Sequence, residues 1–491
     1  MCKFILFLDT LPILRADFQM KKLHYLALLA FISCACTIQQ PQQTGGKSIL
    51  SGIPWYTENG ENVSAHGANI IKEGDKFYLF GEYKNNKNNQ FEGFSCYSST
   101  DLMNWKFESI AMVPNESGRL SGPECIGERP KVMKCPSTGE FIMYMHADSN
   151  GYRNPAVEYA VAQNITGSYE YKGPLMFGDK SINRWDMGTF QDDDGTGYVI
   201  LHHGDIYKLA DDYKSVSEQI LKREKTLRTE SPAVFKRNDT YYWIGSGLTG
   251  WERNDNHYFT APSLAGPWTD RGAVAPEGTL TWNSQSTYVF PVAGSKTTTY
   301  MYMGDRWSFP KQRATATYVW QPLVFEGDKI SMTEYHESWT FDVETGEWKD
   351  VPLKPDYEIS YKDDAVSYEG NWQEEEGDNT KSKRANTKDA KLTIKFNGSQ
   401  IALRGVASID CGYGHIVINN SDGETVHDTW VDMYSNKTVE GLQYMSPVIP
   451  EGEYTLMFSP TQSHWYWIEK SGKKWGSKDT FVSFSKVLVF E

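Results

Sequence analysis

Residues 227–246 read LRTESPAVFKRNDTYYWIGS. The triplet Arg237-Asn238-Asp239 is a turn signal, because Asn and Asp side chains hydrogen-bond their own backbone and tolerate left-handed conformations. The run after it, Thr240–Ser246, alternates at the two-residue period of a strand and is rich in Tyr and Ile. Upstream, Glu230 stands before Ser231-Pro232. Proline cannot donate to a ladder, so pairing is interrupted there and the carboxylate is held at a strand start. The same phrase recurs outward in both directions: KFYLFGEY from 76 after EGD, EFIMYMHAD from 140 after STG, GYVILHHG from 197 after DDDGT, and TTYMYMGDRW from 298 after GSK. Five units at roughly 40–65-residue spacing predict radial repetition, in which each sheet needs its neighbours to cover both faces. The expected fold is all-β, a five-bladed β-propeller over 51–350. A single two-sheet sandwich is too small for about 300 residues.

After VPLKP (351–355) the composition changes. The polar stretch EGNWQEEEGDNTKSKRANTKDA is followed by KLTIKFNGSQIALRGVA, GHIVINN, YTLMFSP and FVSFSKVLVFE, all strand-like. Residues 356–491 therefore read as a jelly-roll-like β-sandwich accessory domain. Trp465 and Trp467 in HWYWIE suit either a sugar platform or a core. At the other end, Lys21 and Lys22 precede the apolar run Leu23–Ile32, which is too short to span a membrane and fits a secretory signal. Small residues around Cys34 and Cys36 suit lipoprotein processing. Residues 1–36 are expected to be a leader and 37–50 a tether, with an ordinary cleaved signal as the alternative. The expected location is outside the inner membrane, as a periplasmic or cell-envelope lipoprotein of a bacterium. Any membrane contact would run through the lipid alone. The four body cysteines, Cys96, Cys125, Cys135 and Cys411, fit no zinc spacing and read as scattered buried thiols, with one disulfide as the alternative.

The net charge of −14 over 491 residues excludes a nucleic-acid partner, since phosphate binding needs a basic surface. Aromatic residues make up 14 % of the chain, and aromatics stack on the apolar faces of sugars, which points to a polysaccharide or oligosaccharide partner. Hydrolysis of a glycoside needs an acid that keeps its proton near neutrality, and a nearby carboxylate helps it do so. Glu230 is the candidate acid. Asp186, in NRWDMGTFQDDDGTGYVI, is the candidate neighbour, because it too lies just before a strand. Asp192, Asp193 and Asp194 read as a hairpin turn. Trp251 follows the loop GLTG and suits a stacking wall against a sugar.

SSTDLMNW (98–105), RWDMGTFQDDDG and ESPAVFKRNDTYYWIGS together resemble family 43 of the glycoside hydrolases. The resemblance covers roughly 50–345. It implies a five-bladed propeller that inverts configuration, with Glu230 as acid and Asp186 as the group that tunes it. The family's usual Asp base belongs in the first blade, where this chain reads SAHGANIIKEGDKFYLFGE (64–82), with His66-Gly67-Ala68-Asn69 in its place. The branch of exo-β-1,3-galactanases and galactosidases also lacks that Asp and is similar in ERPKV (128–132), GLTGWERNDNHYFTAPSLAGPW (247–268) and NSQST (283–287). Its pattern assigns Gln285 as base or water holder, and Glu128 and Glu82 as contacts to galactose at the reaction subsite. His66 is either a buried, hydrogen-bonded residue or part of the sugar site. Some family members hold calcium or water on a central His. No cofactor is therefore required and no metal ligand is assigned, while a structural calcium stays open. The expected activity is exo-hydrolysis of β-1,3-galactan, such as an arabinogalactan backbone. The alternatives are an α-L-arabinofuranosidase or β-xylosidase, or a non-catalytic glycan-binding propeller.

Overall fold

The computed structural model describes residues 48–122, 124–376, 381–469 and 471–491. The expected leader and most of the tether lie outside the described residues. Strand dominates, and the helical pieces among these residues are three short turns, Lys225–Leu227, Leu280–Asn283 and Gln312–Thr315.

Between 66 and 322 the chain lays down five sheets in sequence order, antiparallel apart from one parallel pairing, Phe177 with Val216, toward the outer edge of the third. Their first strands are β1 (His66–Glu73), β2 (Cys125–Lys134), β3 (Met187–Gln191), β4 (Glu230–Arg237) and β5 (Gln285–Ala293). Each packs against the next, and β5 packs back on β1, so these five strands form a closed ring. Later strands of each sheet step outward, as short turns between antiparallel neighbours require. The DDDG segment is a hairpin turn: Gly195 N–H donates to the Asp192 carbonyl, and Lys236 and Tyr241 clasp the Asp192 carboxylate. Apolar residues fill the gaps between sheets. Trp105, Trp243, Trp320 and Trp339 are fully enclosed, each removing about 150–250 Å² from water. Ile49 and Leu50, placed by their sequence in the tether, pair with Trp339 and Ser338 beside this ring.

From Tyr357 the chain builds two larger antiparallel sheets and two smaller ones, of three and two strands, among the described residues. Of the larger, one has four strands (Tyr357–Ser360, Lys486–Phe490, Gln400–Ala407, Val439–Met445), and the other has five, from Val366–Glu369 to Thr425–Asp432. Leu392, Ile394, Leu403, Ile416, Phe458 and Val487 belong to one shared core. The four body cysteines are free and buried.

Candidate active site

The ring converts strand starts into a site. At the top of each sheet a residue at or near the start of the inner strand pairs with one at or near the end of the next strand: His66 with Glu82, Glu128 with His146, Glu230 with Ser246, and Gln285 with Asp305. In the third sheet the Asp186 carbonyl accepts the His202 N–H at 2.9 Å, giving the equivalent pair. A β-bulge follows the top residue in the other four sheets. In three of them the next residue is left-handed: Gly67 (φ 61°), Arg129 (φ 52°) and Ser231 (φ 54°). A bulge bends its strand and re-aims a side chain. Pro130 and Pro232 come next, where no ladder N–H is needed. Gly67 is required by space as well as by φ, because a Cβ there would lie 2.3 Å from Glu82 Oε1.

Glu230 is buried. Its Oε1 accepts the Thr249 N–H at 3.2 Å and Gln285 Nε2 at 3.3 Å. Two N–H donors on one oxygen leave the carboxyl proton to Oε2. A carboxylate oxygen of Asp186, one of Glu230 and a ring nitrogen of His202 all lie within 4.8 Å of one another. Burial, then the Asp186 charge, pushes Glu230 well above the ordinary carboxyl range, against Arg129 and two backbone N–H groups. Burial alone would lift Asp186 as well. Burial is the largest influence, but Arg129, with Nε 3.0 Å from Asp186 Oδ1, acts together with the nearby His202 and His146 imidazoles to hold Asp186 below its usual value. Ser231 fixes the other oxygen through its N–H and its hydroxyl, both at 3.1 Å. The two carboxyl groups are thus driven apart in acidity, one kept protonated and the other kept charged.

Gln285 is also buried. Its Oε1 accepts Arg129 Nη2 at 2.8 Å and Trp307 Nε1 at 2.9 Å, both donors only, which fixes the amide orientation. Its Nε2 faces Glu230 Oε1, Ser246 Oγ at 3.1 Å and the Gly250 carbonyl at 3.0 Å. A proton placed on Oε1 would meet no acceptor in either of these two partners, so this bonding favours the amide over an imidic acid.

Glu128 Oε1 accepts Tyr152 OH at 2.6 Å and Asn89 Nδ2 at 2.9 Å, while Oε2 lies 3.3 Å from His146 Nδ1. Against burial, hydrogen bonds to Asp148 and Glu128 raise His146 to about 9, so it stays charged. Burial lowers its counterpart His202 to about 4, which leaves that ring neutral beside the acid. Glu82 accepts the Arg129 N–H at 2.9 Å and pairs with Lys84 at 2.5 Å. These ligations bear on metal binding. Glu128, His146 and Asp186, and likewise Asp186, His202 and Glu230, are close enough for a cation, and Arg129 already pairs with Asp186, which both groups share.

Trp251 lies 5.1–6.3 Å from the rings of Trp467, Phe309 and Trp307. His66 is fully enclosed, stacks on Tyr318 at 4.6 Å and faces Asp305 at 3.4 Å, so it lies beneath the surface a sugar could touch. Asp305 in turn accepts the Gly67 N–H at 3.0 Å.

The sequence reading named Glu230, Asp186, Gln285, Glu82 and Glu128, and all five stand on this ring of paired strand ends. It passed over Arg129, His146, His202, Asp305 and Trp307. The signal for most of them was in view: Glu82, His146, His202, Ser246 and Asp305 occupy equivalent positions at the end of the second strand in each repeat.

A buried acid kept protonated beside an arginine-held carboxylate is the equipment of a glycoside hydrolase. The comparisons agree. The model for glycosyl hydrolases family 43 matches residues 62–315, over half of the chain, which therefore belongs to that family. An exo-β-1,3-galactanase from Phanerochaete chrysosporium, solved with galactose, is 28 % identical, covers 90 % of this chain and 100 % of its own, and has a TM-score of 0.66. A variant of the same enzyme was solved with β-1,3-galactotriose, at 27 % identity over 90 % of this chain and 100 % of its own, with a TM-score of 0.66. An exo-β-1,3-galactanase from Clostridium thermocellum is 27 % identical over 82 % of this chain and 87 % of its own, with a TM-score of 0.57. A β-D-galactofuranosidase of Aspergillus niger is 26 % identical over 36 % of this chain, which spans 55 % of that protein.

Proposed function

We propose that this chain is an exo-acting, inverting hydrolase that releases galactose from β-1,3-linked galactan. The observation that carries the reading is the Glu230–Asp186 pair, joined through Arg129 to Gln285. Galactose as the product rests on the galactanase relatives, which align over most of the chain. The catalytic unit is a five-bladed propeller, supported by the closed ring of five first strands. The second unit is a β-sandwich, supported by two sheets on one core.

Glu230 donates its Oε2 proton to the leaving oxygen as the glycosidic bond breaks. Asp186 keeps that proton in place. Glu82 and Glu128 accept sugar hydroxyls, so an analogue lacking one of those hydroxyls loses a hydrogen bond to a buried carboxylate. Trp251 forms an apolar wall. Gln285 holds water rather than taking its proton; the transition state, oxocarbenium-like at the sugar, demands little from a base until attack is well advanced, the attacking water then sheds its proton to solvent, and solvent reprotonates Glu230. In an inverting site the acid and the water-activating group flank the sugar at about 6.5–9.5 Å. The 3.3 Å contact between Gln285 and Glu230 must therefore open when substrate enters. No cofactor is needed. Export as a lipoprotein is supported by Lys21, Lys22, the apolar run after them and Cys34 or Cys36, and lipid labelling of the cells that make the protein tests it.

The enzymatic test is incubation with β-1,3-galactotriose under proton NMR, in which free galactose first comes only from the non-reducing end and the reducing end leaves as galactobiose. Initial release of α-galactose is expected. Release of the β-anomer first refutes inversion. Hydrolysis of pentosides alone, or of nothing, refutes the galactanase reading.

A further inference from the structure

The loop Gly247–Arg253 carries two of the contacts that define the site. Its Thr249 N–H donates to Glu230, and its Gly250 carbonyl accepts from Gln285. The loop braces itself through Asn254, which accepts the Gly247 N–H at 2.8 Å and donates to Thr249 Oγ1 at 2.7 Å. Its last two residues, Glu252 and Arg253, are nearly fully buried, and charged side chains are seldom buried unless partnered. Their partners come from the second unit. Glu252 Oε2 accepts Tyr434 OH at 2.9 Å. The Arg253 guanidinium lies 4.9 Å from the Trp465 ring and 5.7 Å from the Tyr434 ring. Tyr434 and Trp465 stack at 5.1 Å with 6° between their planes. Arg253 also donates to the Trp307 carbonyl, and the Trp307 indole holds Gln285 Oε1. Next to Trp307, Ser308 donates to Asp432 of the second unit at 2.7 Å. Gly250 is left-handed (φ 59°), and a Cβ there would sit tightly against the Trp467 ring, 3.0 Å from Nε1.

We propose that the C-terminal unit is a working part of the active site, and that Tyr434 is a positioning residue which, through Glu252, fixes the loop holding Glu230 and Gln285. This deepens the hydrolase reading and rests on it. Tyr434 touches neither the acid nor the amide, and no free sugar-binding face of the second unit is invoked. The fixed loop keeps water from Glu230 and keeps Oε1 occupied, so Oε2 alone carries the proton. Loosening the loop admits water. Loss of the loop's N–H bonds to Glu230 would raise its pKa and hydration would lower it; because burial is the largest cause of the raised value, the net change is expected to be a fall.

Tyr434→Phe removes one hydroxyl and keeps the ring stack. Two readouts test it. First, the protonated-carboxyl infrared band that vanishes in Glu230→Gln is titrated in the parent protein and in Tyr434→Phe, without substrate. The midpoint is expected to fall by about half to one pH unit in the variant. Second, kcat on β-1,3-galactobiose is expected to fall about five- to tenfold with KM within about twofold, the pattern of a lost transition-state contribution. Arg404→Ala is the control. It breaks an ion pair of 2.7 Å with Glu337 between the units without touching the loop, and should lower Tm while leaving kcat and the infrared midpoint unchanged. An unchanged midpoint and kcat in Tyr434→Phe, or an equal kcat loss in Arg404→Ala, overturns the proposal. If the parent protein releases no galactose, the hydrolase reading fails on its own, and the infrared titration still decides the loop's role.

Discussion

Replacing Asp186 with Asn removes the negative charge that helps keep Glu230 protonated, with almost no change of shape. The carboxylate oxygens lie within 4.8 Å. At an effective dielectric of about 20, two unit charges at that separation interact by about 3.5 kcal/mol, or about 2.5 pH units. Arg129 loses its partner in the same step and now acts on Glu230 alone, which adds to the fall. Glu230 works in its protonated form, so activity is present below its pKa and is lost as pH rises through it. The descending limb of kcat/KM against pH should therefore move to lower pH by at least about 2.5 units in Asp186→Asn. The assay is galactose release from β-1,3-galactobiose between pH 3 and 9. A limb within about 0.3 unit of the parent would show that burial alone sets the acid, and the pairing argument would fall.

Glu230→Gln should cut kcat by about 10²–10⁴-fold while calorimetric binding of galactobiose is largely kept; a rate like the parent's removes Glu230 from its role. Gln285→Ala deletes the shared partner of Arg129 and Trp307, and its kcat loss on the same disaccharide should approach that of the acid variant, whereas a loss below about threefold places water control elsewhere. Gly67→Ala should lower unfolding stability by about 2–4 kcal/mol in urea melts, because the residue is left-handed and its Cβ would strike Glu82, and an unchanged midpoint refutes that packing argument. Lys131 is fully buried, and burial pushes its ammonium down to about 7. The unfolded chain then binds more protons between that value and about 10.4, so the stability difference between the parent and Lys131→Met should shift in the parent's favour as pH rises through this window, by up to about 1.4 kcal/mol per unit; a flat difference contradicts it.

Much of this arrangement was legible in the sequence because turns and alternation are local. The Asn238-Asp239 turn, the run Thr240–Ser246 and its four counterparts declared hairpins, and the carboxylates before Pro130 and Pro232 stood out against that rhythm. What stayed hidden depends on closure. Arg129 reads as the surface half of a Glu-Arg pair until the ring brings Asp186 to its Nε and Gln285 to its Nη2. Asp305 reads as the end of a strand until β5 meets β1 and places it on the Gly67 N–H. Trp465 and Trp467 read equally well as platform or core. Only the packed units show Trp465 enclosed against Tyr434 and Arg253, and Trp467 against Trp251.

The four residues Leu280–Asn283, just ahead of Gln285, all have φ between 51° and 58°, a full turn of left-handed helix with no glycine. Asp255 caps it at the Gly278 and Leu280 N–H groups, and Arg306 grips the carbonyls of Trp282 and Asn283. At about 1–2 kcal/mol per residue, its wrong-handed twist is comparable with the net stability of a whole domain. The chain therefore bears that cost directly beside Gln285. Glycines engineered into the turn would yield a hardier protein and a duller catalyst, a trade that thermostabilisation campaigns on this scaffold should expect to meet here first.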